Sequence, residues 1–589
     1  MLYIDIETYS ATDLKAGVYR YSEDPTFEVL MCAWATADDP TVRLAVGEEA
    51  IKAIPGLATD TIVAHNAQFE RVCLSRMLGV DGFLPAERFI DTQALAAWAG
   101  YPQSLDALAK ALGGAQKDSA GTRLINLFCK PGRDGKRTFA SDRPEEWEQF
   151  CAYARQDVET LISVHTKLPE CPTATEAALY LVDQKINDLG IAVDTELAAK
   201  AVETSAIIDS RAADEFTLLT GVANPNSVQQ VRAWLEEAQY PLENLRAETI
   251  ESALASKELG PVVRRALELR QELALTSGKK FLAALNATCS DGRLRGTLKF
   301  HGAHTGRWSG RGVQPQNLPR AQLDDPEPYI EGIKRGEVYD SSVLKALVRA
   351  MFIGPFTVVD YAAIEARVLA WLAGEEWALE AFRAGRDIYV ETAERMGGLT
   401  RSQGKVAVLA LGYNGSVGSL RSMGAEGDDA ALLRLVRQWR RSNLAIVDLW
   451  SAMEKAFRHG GPVGEHLHVH KDGRSRWLEL PSGRTIGYHR TEWDLDGASY
   501  LEAPRRIRTY GGRLVENATQ AVARDILGEA LIRLDTAGYT VASHVHDEIL
   551  VEGEAPVDEV SKLMCVVPEW GAGLPIDAEG FTTYRYRKG

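Results

Sequence analysis

ASHVHDEILVEG, residues 542–553, places two acids inside an otherwise apolar run. Asp547 and Glu548 follow a histidine and precede the apolar triplet 549–551, a pattern that predicts a β-hairpin. Acidic side chains are almost never fully buried unless they are paired or bind a metal. The stretch therefore indicates two acids with a function, and a hairpin tip with solvated acids is the competing structural interpretation.

A third acid, Asp360, ends a predicted strand that runs into a helix in FTVVDYAAIEAR, residues 356–367. Asp360, Asp547 and Glu548 would lie close together if they bound two divalent ions about 3.5–4 Å apart. Such ions hold the attacking and leaving oxygens of a phosphoryl transfer. On this interpretation the acids are metal ligands, and His546 lies against the end of a nucleic acid beside them.

RSQGKVAVLALGYNG, residues 401–415, lies between the two acidic elements and predicts a helix. Arg401 and Lys405 are four residues apart and share a helix face, with Leu409 on the next turn. A cationic pair of this kind can hold a triphosphate, and Lys405 can donate a proton to the leaving pyrophosphate. An isolated R-x-x-x-K more commonly means an exposed basic face.

LYIDIETYS, residues 2–10, alternates apolar and polar side chains, which predicts a strand with Asp5 and Glu7 on one face. Far along the chain, Tyr153 and Asp157 are four apart on a predicted helix and share a face of that helix. A D-x-E motif alone is more often solvated charge on an exposed strand. The ordered set of acids is far more specific than this motif.

Between these two elements, HNAQFE (residues 65–70) contributes Glu70. Four carboxylates from one strand and two helices suit a pair of divalent metals that hold an attacking water and a phosphodiester. Tyr153 would orient that water. The N-terminal residues therefore indicate a metal-dependent nuclease.

This set resembles the DEDD-type 3′-to-5′ exonucleases of the tyrosine subclass, which have a ribonuclease H-like fold. The resemblance implies that Asp5, Glu7 and Asp157 bind the metals, with Tyr153 and Glu70 completing the catalytic set. The family usually has Asp where this chain has Glu70, and the longer side chain changes the distance from metal to ligand. We nevertheless expect an active exonuclease.

The chain as a whole resembles the family A DNA polymerases of the polymerase I type, and the resemblance covers nearly all of it. Residues 360–367 correspond to motif A, 401–415 to motif B and 546–548 to motif C. HTGRWSGRGVQPQNLPR (304–320) and GGRLVENATQAVARDIL (512–527) resemble two further segments of the family. The compact layout resembles a phage replicative polymerase more than a bacterial repair enzyme.

The resemblance implies two Mg²⁺ ions per active site, with Mn²⁺ as a substitute, bound by Asp360 and Asp547 beside Glu548. Glu365 would stack on the nucleotide sugar and exclude a ribose 2′-hydroxyl, and Tyr413 would stand at the templating position. The expected nucleotide-binding residues are Glu365, Tyr389, Arg401, Lys405, Leu409 and Tyr413. The expected DNA-binding residues are Arg307, Asn317, Arg513, Asn517, Gln520 and His546.

A length of 589 residues suggests about four domains. The expected fold class is α/β in a multidomain (α+β) arrangement, with an N-terminal ribonuclease H-like exonuclease followed by a right-hand polymerase of palm, fingers and thumb. The expected domains are the exonuclease at 1–168, a linker and thumb at 169–300, the first part of the palm at 301–374, fingers with a β-meander at 375–500, and the second part of the palm at 501–589.

The net charge of −16 argues weakly against a nucleic-acid partner, because binding requires neutralised phosphates. Two basic strips, 292–322 and 505–513, could still bind a polyanion. Seven cysteines without a C-x-x-C pair indicate reduced thiols. Without a signal peptide or an apolar run near ~18 residues, we expect a soluble cytoplasmic protein, in the host cell if a phage encodes it. HLHVH, residues 466–470, favours a partly exposed polar strand over a zinc site.

The expected partners are primer-template DNA and dNTPs, with a helicase-primase and a single-strand-binding protein as replisome partners, and no membrane. A single-subunit RNA polymerase is one alternative, and Glu365, the HDE triplet and the fused exonuclease speak against it. A scaffold with an inactive polymerase site would need broken metal ligands. An enzyme that mainly degrades 3′ ends is separable by whether dNTPs switch it from shortening to extension.

Overall fold

The computed structural model describes residues 1–114, 121–256, 258–274, 277–495, 497–502 and 505–588. Two large sheets, one near the N-terminus and one in the second half of the chain, are surrounded by helices and by smaller sheets. Within the described ranges, none of the helices is long and apolar enough to cross a membrane. Each of the seven cysteines is free.

The N-terminal sheet has five strands, in the spatial order Arg43–Val46, Glu28–Thr36, Leu2–Tyr9, Ile62–Ala64 and Phe89–Asp91. Strand Leu2–Tyr9, the first along the chain, alternates as predicted and is covered on both faces. Leu2, Ile4 and Ile6 pack into one apolar cluster, while Tyr3 and Tyr9 pack into another. The helices of this region are Val18–Ser22, Glu48–Lys52, Gln68–Leu78, Thr92–Trp98, Leu105–Ala111, Gly121–Phe128 and Pro144–His165.

A helical region follows and is nearly continuous to residue 287. Its helices are Ala174–Leu189, Thr195–Thr220, Val228–Glu237, Ala247–Ala255, Pro261–Leu273 and Ser277–Ala287. The short segment between helices Pro144–His165 and Ala174–Leu189 contains the predicted boundary at residue 168. Asp194 caps one of these helices by accepting a hydrogen bond from the Leu197 backbone N–H.

The central sheet is built around strand Phe352–Tyr361, which pairs antiparallel with three other strands. Its strands are Thr540–Val545, Glu548–Glu552, Phe352–Tyr361, Ile191–Val193, Arg293–Leu294 and Ala578–Arg585. The helices around it are Glu327–Lys334, Ser341–Leu347, Ile364–Ala373, Gly511–Thr536 and Val557–Met564. Residues 542–553 therefore form a hairpin, in which Asp547 lies in the turn and Glu548 begins the second strand.

A further group of helices lies between the two halves of the central sheet in sequence, and it comprises Glu376–Arg383, Ile388–Arg395, Arg401–Leu411, Val417–Ser422, Asp429–Ser442 and Leu444–His459. There are also three small sheets. One has four strands, Gly461–Val463, Leu467–Asp472, Ser475–Glu479 and Thr485–Tyr488, and one has three, Glu492–Asp494, Gly497–Glu502 and Arg505–Thr509. The last pairs Leu298–Lys299 with Ser309–Gly310. The predicted boundary at residue 500 falls inside one of these strands.

Candidate active sites

The turn of the hairpin and the end of the middle strand bring three acids of the central sheet together. Asp360 and Glu548 are direct cross-strand partners in the antiparallel register. His546 has a φ of 59°, in the left-handed region that few residues other than glycine adopt, and it makes the tight turn before Asp547. The Tyr361 backbone N–H donates to the Asp547 carbonyl at 3.1 Å, which fixes the turn against the strand.

A tyrosine, an arginine and a lysine surround these acids, and sequence reasoning missed all three. Glu548 is fully buried and accepts a hydrogen bond from the Tyr586 hydroxyl at 2.6 Å. Arg349 donates in turn to that hydroxyl at 2.7 Å. Lys588 Nζ lies 3.6 Å from Asp360 and 3.8 Å from Asp547. These residues come from segments without a motif, so no local pattern marks them.

The electrostatics of this site favour a bound cation. Burial raises the pKa of Asp360, and the adjoining Asp547 carboxylate raises it further. Burial also raises the pKa of Glu548, against the effect of the Tyr586 hydrogen bond. In the described part of the chain, Asp360 Oδ1 and Glu548 Oε2 are buried without a hydrogen-bond partner. Carboxylate oxygens of this kind suit a divalent metal.

Helix Arg401–Leu411 presents both predicted cations to solvent beside one aromatic ring. The Arg401 guanidinium lies 5.4 Å and Lys405 Nζ 5.9 Å from the centroid of Tyr389. Arg401 also donates to Asp387 at 2.7 Å. Gly404 is required between the two cations, because a Cβ there would lie 2.0 Å from the Tyr389 carbonyl oxygen. Leu409, on the following turn, is 44% exposed, so this face of the helix is open to a ligand.

Glu365 connects three segments that are distant in sequence. It lies in the first turn of helix Ile364–Ala373, directly after the strand that carries Asp360. Arg307 Nη1 lies 3.2 Å from one carboxylate oxygen, and the Tyr413 hydroxyl donates to the other at 3.4 Å. Burial raises the pKa of Glu365, and Arg307 lowers it. The structure thus joins one predicted DNA-binding residue to two predicted nucleotide-binding residues.

The other predicted DNA-binding residues lie on one long helix, on the segment that contains Asn317, and at the hairpin turn. Arg513, Asn517 and Gln520 are within helix Gly511–Thr536, where Asn517 donates to the Tyr488 hydroxyl at 2.9 Å and Gln520 to Glu516 at 3.2 Å. Arg513 is exposed. Away from this helix, Asn317 is exposed and donates to Gln314 at 2.8 Å, and His546 is exposed at the hairpin turn.

A buried ion network supports the loop that carries Arg307, and it has no sequence signal. Arg524 pairs with Glu176, and Arg484 pairs with Asp525 at 2.9 Å, with all four side chains at most 5% exposed. The same two arginines donate to the backbone carbonyls of residues 305 and 306, at 2.9 and 3.0 Å. Although burial alone would raise the pKa of Glu176, Arg524 and Arg484 lower it to about 2.

The N-terminal site gathers three acids more tightly. Among the residues that the structure describes, Asp5, Glu7 and Asp157 form the one group of His, Cys, Asp or Glu side chains that each offer a ligand atom within 4.8 Å of the others. Glu7 and Asp157 are buried. Tyr153 is buried on the same helix as Asp157, and burial, Asp157 and Glu7 raise the pKa of its hydroxyl, which therefore stays protonated. The donor set fits a divalent metal.

Glu70 lies outside this group of three. Its side chain is 3% exposed on helix Gln68–Leu78, and no described residue hydrogen-bonds its Oε2 atom. Burial raises its pKa well above the usual range, and the charge of Asp5 adds to that effect. The structure therefore places Glu70 within electrostatic reach of the acid cluster as a buried acid with a raised pKa.

Three cations of the basic strip at 292–322 contact other side chains of the protein, which leaves fewer of them for the polyanion that the strip could bind. Arg293 pairs with Glu552 at 2.5 Å, and Arg295 pairs with Asp291 at 2.7 Å. Arg311 donates to the side chains of Gln68 and Asn66, at 2.8 and 3.2 Å, and so joins this strip to the loop that precedes Glu70.

Two of the three histidines of HLHVH lie within a strand, and the third directly precedes it. His466 precedes strand Leu467–Asp472 and stacks on Trp371, with ring centroids 3.8 Å apart. His468 and His470 lie within the strand, and His470 pairs with Glu479 at 2.5 Å.

Comparison with known proteins gives a consistent result. Residues 195–429 match the sequence profile of "DNA polymerase family A". The chain is 40% identical to the DNA polymerase of Bacillus phage SP02, over 100% of this chain and 99% of that protein. It is 26% identical to the DNA polymerase of Mycobacterium phage L5, over 96% of this chain and 89% of that protein.

Among solved structures, the POL domain of Pol1 from M. smegmatis, in complex with DNA primer-template and dNTP, has a similar fold. The TM-score is 0.63 at 18% sequence identity, and the match covers 98% of this chain and 95% of that one. This likeness, together with the mixture of helices and sheets described above, confirms the predicted multidomain α/β fold class.

Proposed function

The chain belongs to the family A DNA polymerases and is a DNA polymerase of the phage type, and on that premise we propose that it extends primers by two-metal chemistry and proofreads with its N-terminal region. Its substrates are primer-template DNA and dNTPs, which are also the ligands named for the M. smegmatis neighbour. The two phage relatives support a role in phage genome replication. We further propose that the chain acts in the host cytoplasm, alongside a helicase-primase and a single-strand-binding protein.

At the central site, Asp360 and Asp547 would hold two Mg²⁺ ions, with Mn²⁺ as a substitute and with Glu548 beside them. When bound, such ions activate the primer 3′-hydroxyl and stabilise the charge on the leaving pyrophosphate. Arg401 and Lys405 hold the triphosphate, and Lys405 donates a proton to the departing pyrophosphate oxygen. The observation that carries this proposal is the convergence of the three acids, with buried oxygens of Asp360 and Glu548 left without a protein partner.

Selection of deoxynucleotides is assigned to Glu365. Its carboxylate is held on one side by Arg307 and on the other by the Tyr413 hydroxyl, which fixes its position next to Asp360. A fixed carboxylate there would exclude a ribose 2′-hydroxyl by its volume. Tyr389 and Leu409 complete the nucleotide-binding face of the helix. Primer-template DNA is bound by Arg307, Asn317, Arg513, Asn517, Gln520 and His546.

At the N-terminal site, Asp5, Glu7 and Asp157 would hold the metal ions of a 3′-to-5′ exonuclease. The protonated Tyr153 hydroxyl can donate a hydrogen bond to the attacking water and orient it toward the phosphodiester. Glu70, a buried acid within electrostatic reach of the cluster, would complete the catalytic set. The proximity of the three ligand atoms, within 4.8 Å of one another, supports this proposal.

A primer-template labelled at the primer 5′ end tests both activities together. The assay uses Mg²⁺ with and without dNTPs, on wild type, Asp547→Ala, Asp5→Ala and the control Asp214→Ala, which removes an exposed acid from helix Thr195–Thr220. We expect Asp547→Ala to lose extension alone and Asp5→Ala to lose shortening alone. Wild type that extends but never shortens would disprove the exonuclease, and retention of extension by Asp547→Ala would disprove the central metal site.

A further inference from the structure

The segment after strand Ala578–Arg585 places two side chains on the acids of the central site. Tyr586 is buried and donates to Glu548 at 2.6 Å. Two residues later, Lys588 Nζ lies 3.6 Å from Asp360 Oδ2 and 3.8 Å from Asp547 Oδ1. The three acids of the central site are therefore all contacted from this one short segment.

Backbone and side-chain contacts fix this segment. The Tyr586 backbone N–H donates to the Phe352 carbonyl at 2.9 Å, and the Gln322 side chain donates to the Lys588 carbonyl at 2.7 Å. Between them, the Arg587 guanidinium lies 4.8 Å from the centroid of the Phe581 ring. The Lys588 side chain is only 15% exposed. Its position beside the acids is thus a consequence of how the backbone is held.

The charges explain why a lysine is stable at this position. Burial of Asp360, together with the neighbouring Asp547 carboxylate, makes the negative charge of Asp360 costly and raises its pKa. One ammonium group near both carboxylates offsets that cost. An ammonium is a compact point charge on a flexible four-carbon stem, so it can leave the carboxylates without movement of the backbone.

We propose that Lys588 is the counter-ion of the metal-free central site and competes with divalent cations for Asp360 and Asp547. The lysine holds the two carboxylates together until the cations displace its ammonium group. It therefore sets the metal concentration at which the site fills. This inference rests on the proposed function in one respect, namely that Asp360 and Asp547 are the metal ligands.

The test measures Mn²⁺ binding directly, by electron paramagnetic resonance of the free ion, without DNA. All proteins carry Asp5→Ala, so that the N-terminal site does not contribute. In that background we expect Lys588→Met to bind Mn²⁺ about tenfold more tightly. Lys588→Arg should bind more weakly than the parent, because a guanidinium can hold carboxylates through two parallel hydrogen bonds. Arg587→Met is the matched control, since it removes the same charge one residue away and should leave the affinity unchanged.

A second readout uses thermal unfolding in EDTA. In EDTA, Lys588→Met should have a lower unfolding midpoint than the parent. Adding Mn²⁺ should bring the midpoint of Lys588→Met back to that of the parent. Arg587→Met should show no such recovery. Equal Mn²⁺ affinities for the parent, Lys588→Met and Lys588→Arg would overturn the inference. If adding Asp547→Ala to the same background leaves Mn²⁺ binding unchanged, the proposed central metal site itself is wrong, which is a distinguishable result.

Discussion

Buried acids occur in this molecule in two different environments. Asp360 and Glu548 lie among other carboxylates, and their pKa values are raised, first by burial. Glu176, which is 4% exposed, contacts two arginines instead, and its pKa is lowered to about 2. Desolvation is common to both sets, so the neighbouring charges decide the sign of the shift. We infer that an acid with arginine partners stabilises the fold, whereas acids that lie beside other acids form a site suited to bind a cation.

The largest effect is expected from Asp360→Asn, because it removes one of the acids gathered with other acids. Extension should fall by at least about 10³-fold, since a proposed metal ligand is lost. The unfolding midpoint in EDTA should not fall, because the substitution also removes repulsion with Asp547. Single-turnover extension and thermal unfolding check the two halves of this prediction. A clear loss of stability with retained extension would place Asp360 with the structural acids.

Glu176→Gln should instead destabilise the fold. It removes one of two buried counter-charges of Arg524 and leaves only Asp525, 3.2 Å away, so the unfolding free energy should fall by about 3 kcal/mol. The sign of the pH dependence follows from the lowered pKa. A native pKa of about 2 against an ordinary value of 4.5 means that the ionised carboxylate stabilises the fold above about pH 4.5. That contribution is lost progressively as the pH falls toward 2.

Urea unfolding of wild type and Glu176→Gln between pH 7 and pH 3 measures this difference. The gap between the two unfolding midpoints should be constant at neutral pH and should narrow below about pH 4.5. As a control, Glu203→Gln changes an exposed acid and should have little effect at any pH. A gap that does not change with pH would mean that Glu176 contributes through packing and not through its charge.

The sequence was informative where chemistry follows a local period. Asp5 and Glu7 on one strand face, Tyr153 with Asp157, and Arg401 with Lys405 are each two or four residues apart, and the structure places each pair as predicted. The fold class and the family followed from the order of such motifs along the chain. The roles assigned to these residues stay predictions, which the experiments above are designed to test.

Partners that are distant in the chain could not be predicted. Tyr586 reaches Glu548, and Arg524 reaches Glu176, through contacts 38 and 348 residues apart in the chain, and neither contact leaves a periodic signal. The same limit applies to the basic strip of 292–322. An arginine can either bind DNA or pair with an acid of the protein, as Arg293 pairs with Glu552. Tertiary packing decides between the two, and local composition does not reveal that packing.

Glu7 of the N-terminal site and Glu548 of the central site are both buried glutamates, and we expect their substitution to have effects of different size. Glu7→Gln should reduce shortening about 100-fold, because the Glu7 carboxylate belongs to the group of three ligand atoms within 4.8 Å. Glu548→Gln should reduce extension only about tenfold, because one of its oxygens is already bound by Tyr586 and its role is to position the site. Rates of both activities for each variant provide the measurement, and each variant serves as the control for the other. Equal losses of extension in Glu548→Gln and Asp360→Asn would instead indicate that Glu548 is a metal ligand.

Glu365 is intermediate between the acids that have arginine partners and those that lie beside other acids. Arg307 lies next to it, yet burial raises its pKa. The smallest effect is expected from Tyr413→Phe, which removes a hydroxyl that donates to Glu365 at the long distance of 3.4 Å. Because the hydrogen bond is long, we expect it to be worth only about 0.5–1.5 kcal/mol, so selection of dNTP over rNTP should fall only about two- to tenfold. Competition between dNTP and rNTP in primer extension measures it, with Tyr510→Phe, a tyrosine that is 45% exposed, as the control. No change in selectivity would mean that Arg307 alone fixes the carboxylate, and Glu365 would then belong with the acids that an arginine holds in place.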